Sequence, residues 1–304
     1  MKQISNKGLV VGIGELLWDC FKDEKRIGGA PANFAYHAAQ FGYSGIVISA
    51  IGRDDDGEAL ICELESHKLN YHLERLELPT GTVIIDDSVA NQPKYTINTD
   101  VAWSAIPYTE ELADIASECR AVCYGTLAQY GGETKQTIRL FLTSVPRGCY
   151  KIYDINLREN SGQPLYDTET IDSSITLCNV LKVNIDELIY LSKLFDLSGA
   201  DVIEGVEVLA SSLMAKYDNI EILIVTMDVR GSWMFSKADS SYQETPKVIV
   251  RDTVGAGDSF CGSAVACLMN GKTLKEAHRI AVKVAAYVCT QPEGMPVIPE
   301  HIKR

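Results

Sequence analysis

Apolar residues along this chain gather in short runs separated by longer stretches of mixed character. The runs Leu9–Ile13, Gly45–Ser49, Ala121–Gly125, Lys151–Asp154, Val180–Val183, Glu221–Thr226 and Ser232–Phe235 read as strands. Between them the pattern is helical near 31–41, 57–68, 109–117, 133–144, 185–195, 201–216, 257–269 and 274–288. Strands alternating with helices predict βαβ units, hence an α/β fold with a central, mostly parallel β-sheet flanked by helices on both faces. Two stretches break the rhythm. Residues 71–98 alternate in polarity, as in Thr82-Val83-Ile84-Ile85 and Lys94-Tyr95-Thr96-Ile97, with no helix between. Residues 15–27 are likewise strand-like around Lys22-Asp23-Glu24-Lys25. Together they predict a small antiparallel sheet projecting from the body, serving as a lid over a site, as a homodimer contact, or as a plain edge hairpin.

Length and composition narrow this picture. At 304 residues the chain exceeds the size at which a single core stops growing, so 1–304 reads as one large domain with an elaboration. Hydrophobic content of 46% and charged content of 23% fit a soluble globular protein. A net charge of −13 argues against a nucleic-acid surface or an anionic membrane. The polar start MKQISNKG and the short run after it do not make a signal peptide, and no segment is long and apolar enough to span a bilayer. Nine cysteines, scattered and without a CxxC pair, fit reduced thiols in a cytoplasmic protein better than disulfides or a zinc site.

Three attractive motifs fail on inspection. Gly271-Lys272-Thr273 looks like the end of a phosphate loop, but Ala266 stands where that loop needs glycine. Asn270-Gly271 instead stops one helix, and Thr273 with Glu276 caps the next. Asp54-Asp55-Asp56-Gly57 has Ala59 where a calcium loop turns on glycine. Gly12-Ile13-Gly14 lacks the third glycine of a dinucleotide fingerprint.

The segment Asp252-Thr253-Val254-Gly255-Ala256-Gly257-Asp258-Ser259-Phe260 carries more. Small residues precede an apolar helix, so a ligand can approach the backbone at a helix start, where unpaired N–H groups and the dipole suit a phosphate. A carboxylate repels phosphate, so Asp258 makes sense there as the acceptor of a proton from an attacking hydroxyl. Taken alone, GAGD also fits a helix start with an aspartate cap. Gly28-Gly29-Ala30-Pro31-Ala32-Asn33 joins the strand-like 15–27 segment to an Ala-rich helix and places Asn33 to bond a polyol hydroxyl. In Lys182-Val183-Asn184-Ile185-Asp186-Glu187 an amide and a carboxylate three residues apart suit phosphate oxygens and hydrated Mg²⁺, or else simply cap a helix.

These motifs, in this order, resemble the ribokinase-like (PfkB) family of carbohydrate kinases across essentially the whole chain. The anchors are GGAPAN at 28–33, GRDDDG at 52–57, KVNIDE at 182–187 and DTVGAGDSF at 252–260. The resemblance implies a β-lid, here 15–27 with 71–98, that closes on a sugar. It implies that Asp258 is the catalytic base and that the N–H groups of Gly255, Ala256 and Gly257 form an anion hole. Asp19, Gly28, Gly29 and Asn33 fall to the sugar, and Asn184, Thr226 and Gly231 to the nucleotide. Glu187 falls to Mg²⁺ through water, and Asp252 to a monovalent cation such as K⁺. Thr226-Met227-Asp228 departs from the usual Thr-Leu-Gly. Gly14–Asp19 is similar to bacterial fructokinases, and Tyr153-Asp154-Ile155-Asn156-Leu157-Arg158 resembles a stretch of bacterial fructokinases and 2-keto-3-deoxygluconate kinases alike, with Arg158 available to a phosphate or a sugar carboxylate. The implied activity is ATP-dependent phosphorylation of the fructose 6-hydroxyl. The alternatives are a 2-keto-3-deoxygluconate kinase, a ribokinase or, from another class, a sugar-sensing protein without catalysis.

Overall fold

The structure, a computed structural model, describes residues 7–86, 94–160, 162–197 and 205–304. The chain opens with β1 (Leu9–Ile13), β2 (Leu17–Cys20), β3 (Lys25–Gly28) and α1 (Ala30–Ala39). It continues through β4 (Ser44–Gly52), α2 (Asp55–Ser66), β5 (Asn70–Leu76), β6 (Gly81–Asp86) and β7 (Lys94–Ile97). Next come α3 (Glu110–Ser117), β8 (Cys119–Gly125), α4 (Glu133–Ser144), β9 (Tyr150–Asp154), a short hairpin β10 (Glu159–Asn160) and β11 (Gln163–Pro164), and α5 (Thr168–Leu177). The last part holds β12 (Val180–Asn184), α6 (Ile185–Leu194), α7 (Val206–Lys216), β13 (Ile222–Thr226), β14 (Ser232–Ser236), β15 (Ser240–Gln243), α8 (Ala256–Met269) and α9 (Leu274–Val288).

Nine strands form one sheet in the order β15-β14-β13-β12-β9-β8-β1-β4-β5. Every pairing from β13 to β5 is parallel, and β14 and β15 add an antiparallel edge. All of β1 is buried, as a strand covered on both faces must be. On one face β1, β8 and β9 pack with α4 and α5 through Val11, Val122, Tyr153, Phe141 and Ile171. On the other, Val10 and Ile152 meet Phe34 of α1 and Phe260 and Ala264 of α8. Helix α8 is buried along most of its length, which explains its nearly unbroken apolar sequence. From β1 the chain winds one way to β4 and β5, and later the other way through β8, β9 and β12. The reversal lies between β1 and β8, and a ligand crevice forms beyond the carboxyl ends of strands at such a point.

The second sheet runs β3-β2-β6-β7. It differs from the expectation in two ways. Residues 71–76 lie within β5, at the edge of the central sheet, because their alternation suits a strand with one covered face. The second sheet is also mixed: β2 pairs with β6 in parallel, since both leave the same end of the parallel body in the same direction. Residues 87–93 of the expected 71–98 segment, and 201–204 of the expected 201–216 helix, lie outside the described residues. The GRDDDG segment is structural: Asp54 caps α2 through the Gly57 N–H at 2.8 Å and accepts the Thr80 N–H at 2.8 Å, tying α2 to the start of β6. Thr273 and Glu276 form the capping box that their spacing predicts.

Candidate active site

Three close approaches shape the start of α8. Gly255 adopts φ 76°, and a Cβ there would lie 2.8 Å from Gly294 Cα, so glycine is required twice over. Ala256 N–H donates to the Thr253 carbonyl at 3.2 Å, closing a tight turn. Of the three amides expected in an anion hole, that one is therefore already engaged, whereas the N–H groups of Gly255 and Gly257 have no partner among the described residues. One turn on, Asp258 Oδ2 accepts the Asn33 side-chain N–H at 2.7 Å. Asn33 sits in the first turn of α1, whose N-cap is Gly29, where φ is 120° and a Cβ would lie 2.4 Å from the Glu15 carbonyl. A Cβ at Gly28 would meet the Asp19 side chain, so the small residue leaves room for that carboxylate. The glycine pair thus lets α1 begin directly against the loop that follows β1.

The site is strongly acidic. Burial, with Asp154 adding repulsion, raises the Asp258 carboxyl from its ordinary 3.8 to about 6. Burial raises Asp19 to about 6 against the opposing pull of Arg158. Glu15, 3% exposed, is raised to about 7, again by burial first. Two buried oxygens here, Glu15 Oε2 and Asn33 Oδ1, have no hydrogen-bond partner among the described residues, an unmet demand that a hydroxylated ligand can satisfy. Arg158 is exposed, and among the described residues its side chain bonds its neighbour's carbonyl alone, at 3.2 Å, yet its field reaches Glu15, Asp19 and Asp258.

Three groups at this site fell outside the residues picked from sequence: Glu15, Asp154 and Lys182. Lys182 donates to Asp154 at 2.8 Å, and both are buried. Burial alone would lower the Lys182 pKa, but Asp154, Glu187 and Asp258 outweigh it, so the ammonium stays charged. Its Nζ lies 3.3 Å from where a Gly257 Cβ would be, directly behind the start of α8. The signal was legible: a lysine in the apolar run Val180–Asn184 is an anomaly that a buried strand tolerates only with a partner.

Asn184 and Thr226 are register neighbours at the ends of β12 and β13. Asn184 and Glu187 form a capping box, with Asn184 Oδ1 accepting the Glu187 N–H and Glu187 Oε2 accepting the Asn184 N–H, each at 2.8 Å. Glu187 Oε1 accepts the Leu157 N–H at 2.9 Å. Both Glu187 oxygens thus serve the backbone, the helix-capping alternative open in the sequence. Gly231 turns the chain into β14 with φ 92°, its Cβ position blocked by the Gln243 carbonyl at 2.4 Å. Asp228 takes φ 50°, the left-handed conformation that the usual glycine would supply and that aspartate tolerates. Asp252, expected beside a monovalent cation, faces the guanidinium of Arg26. The described residues contain no cluster of three or more His, Cys, Asp or Glu able to hold a metal.

A carboxylate next to free helix-start amides, with a buried ammonium behind them, can take a proton from a hydroxyl while negative charge grows opposite. The chain belongs to the pfkB family carbohydrate kinases, whose sequence profile matches residues 7–301. It is therefore a phosphotransferase of the sugar-kinase class. A fructokinase of Klebsiella pneumoniae is 25% identical over 289 residues, covering 92% of this chain and 88% of its own. An uncharacterized sugar kinase of Pyrococcus horikoshii, solved in complex with ATP, is 25% identical with a TM-score of 0.72, covering 93% of this chain and 91% of that one. A 2-dehydro-3-deoxygluconokinase of Thermotoga maritima superposes with a TM-score of 0.81 at 18% identity, covering 96% of each chain, and so shares the fold.

Proposed function

We propose that the chain transfers the γ-phosphoryl group of ATP to the primary 6-hydroxyl of fructose. The observation that carries this reading is the acidity of the pocket around Asp258. Burial raises the carboxyls of Glu15, Asp19 and Asp258, and Glu15 and Asp19 both lie in the field of Asp258, whereas Lys182 is committed to Asp154. Such a pocket favours a neutral polyhydroxylated acceptor over an acidic one, because an anion would meet uncompensated charge. Arg158 is the observation that favours 2-keto-3-deoxygluconate instead, since an exposed guanidinium whose field reaches these acids can pair with a carboxylate.

In the reaction the hydroxyl oxygen forms a bond to the γ-phosphorus, the bond from that phosphorus to the bridging oxygen breaks, and ADP leaves. Asp258 accepts the hydroxyl proton, Asn33 orients that carboxylate, and the Gly255 and Gly257 amides face the growing charge. Mg²⁺ supplies charge neutralisation on the nucleotide phosphates. Without a carboxylate cluster among the described residues, the donor set fits an ion carried in on those phosphates; Glu187, each of whose oxygens accepts one backbone N–H, would reach it only by accepting from one of its waters with a remaining lone pair. Asn184, Thr226 and Gly231 border the nucleotide, and Asp19, Gly28, Gly29 and Asn33 the sugar. The β3-β2-β6-β7 sheet is the lid, and its outer strands are the natural homodimer contact. Unpaired thiols throughout the described residues favour a cytoplasmic setting.

The test is an ATP-coupled kinase assay on fructose, 2-keto-3-deoxygluconate, ribose and a nucleoside, with the phosphorylated position read by ³¹P and ¹³C NMR. Fructose should give the highest kcat/KM and a 6-phosphate. A tenfold preference for any other acceptor overturns the substrate assignment, and absence of ATP turnover on all of them overturns the kinase reading.

A further inference from the structure

Arg26 and Asp252 are 226 residues apart in sequence and joined in space: Arg26 Nη1 donates to Asp252 Oδ2 at 2.8 Å. Arg26 lies on β3 directly opposite Asp19, the residue assigned to the sugar. Asp252 begins the loop that delivers Gly255, Gly257 and Asp258. Its other oxygen, Oδ1, accepts the Val254 N–H at 3.0 Å and so fixes the turn that brings Gly255 to its left-handed conformation. The guanidinium is itself held in place, paired through Nη2 with Glu24 and packed 4.8 Å over the Phe21 ring. One side chain therefore ties the hairpin that covers the sugar to the loop that faces the phosphate.

This arrangement also decides against a monovalent cation at Asp252. A cation beside Oδ2 would meet the full positive charge already there, while Oδ1 accepts the Val254 N–H. The guanidinium is part of the chain, so the charge it places beside Asp252 needs no ion from solution.

Resting on the kinase reading, we propose that Arg26 is a positioning residue. It is the chain's own fixed cation at the anion-hole loop, coupling that loop to the β2–β3 hairpin and freeing the enzyme from monovalent ions. The test compares wild type with Arg26→Ala and Arg26→Lys at constant ionic strength in potassium, sodium and tetramethylammonium chloride. Wild-type kcat/KM should be the same in all three within twofold. Arg26→Ala should lose about three- to tenfold, the worth of one partly exposed charged hydrogen bond. Potassium or added guanidinium chloride at millimolar levels should restore part of that loss, and Arg26→Lys should lie between.

Hydrogen exchange gives a readout independent of turnover. Peptides covering 252–258 should exchange several-fold faster in Arg26→Ala, and adding Asp252→Asn should change them no further. Potassium activation of the wild type would overturn the proposal while leaving the kinase reading intact. So would an Arg26→Ala enzyme matching wild type in both rate and exchange. If no acceptor is phosphorylated at all, the exchange arm still decides the coupling.

Discussion

The Asn33 side-chain N–H donates to Asp258 Oδ2 at 2.7 Å, joining the first turn of α1 to the first turn of α8 across 225 residues of sequence. The bond favours the ionised carboxylate, and it opposes the burial and the Asp154 charge that push the other way. A base held near neutrality and aimed by an amide is well matched to removing a hydroxyl proton during transfer.

Replacing Asp258 with Asn keeps size and polarity and removes the base. Turnover should fall by ~10²–10⁴-fold, with sugar and nucleotide binding retained. The loss should appear equally in kcat and kcat/KM, because the interaction belongs to the transition state. Steady-state kinetics beside calorimetric binding of sugar would check it. A variant that keeps a third of wild-type kcat would place the base elsewhere.

Because Asp258 must be ionised to act, kcat should drop as pH falls through about 6, by roughly tenfold per pH unit below that. Asn33→Ala removes the donor that lowers this pKa, so the acid limb should move to higher pH. Glu15→Gln should leave its position nearly unchanged, since burial, Asp154, Asn33, Lys182 and Arg158 set the Asp258 carboxyl. A limb that moves with Glu15 and ignores Asn33 would assign the titration to the wrong carboxyl.

The alternation of strand and helix was legible in sequence because parallel strands buried on both faces leave unbroken apolar runs, as in Leu9–Ile13 and Val180–Val183. Helix α5 was missed because Thr168–Leu177 mixes Thr and Ser with few apolar residues, and only the Asp167 cap marks its start. The glycine and aspartate of the 252–260 motif stand out because close backbone approach restricts residue type. Glu15 and the Arg26–Asp252 pair did not, since their meaning comes from which distant elements the topology brings together. Lys182 gave a local signal in its own strand, but its partner Asp154 lies 28 residues away.

The Lys182–Asp154 pair predicts a separation of stability from activity. Lys182→Met leaves Asp154 buried and unpaired, which should cost about 3–5 kcal/mol in urea unfolding. Lys182→Met with Asp154→Leu should recover most of that stability, because a well-packed apolar pair can replace a buried ion pair. Activity should stay low in both variants, since the ammonium behind Gly257 is gone in each. Recovery of activity along with stability would reduce the lysine to a packing element.

Glu15 should make the protein less stable as pH rises. Its carboxyl is raised from an ordinary 4.5 to about 7, so the folded state holds the proton more tightly than the unfolded chain. The stability this contributes is fully present below about 4.5 and is lost as pH climbs through about 7, where a buried charge must form. The rise from 4.5 to about 7 sets a ceiling of about 3 kcal/mol on that penalty. Glu15→Gln cannot ionise, so at pH 8 it should melt higher than wild type by about 2–5 °C. The advantage should shrink to nothing near pH 4.5, where wild-type Glu15 is also neutral when folded. Binding of sugar should narrow the gap at pH 8, because a hydroxyl donated to the orphaned Glu15 Oε2 relieves the same penalty in the wild type. Calorimetry of both proteins at pH 4.5 and pH 8, with and without fructose, measures all of these terms. A melting difference that is the same at both pH values would show that Glu15 is charged, or neutral, throughout.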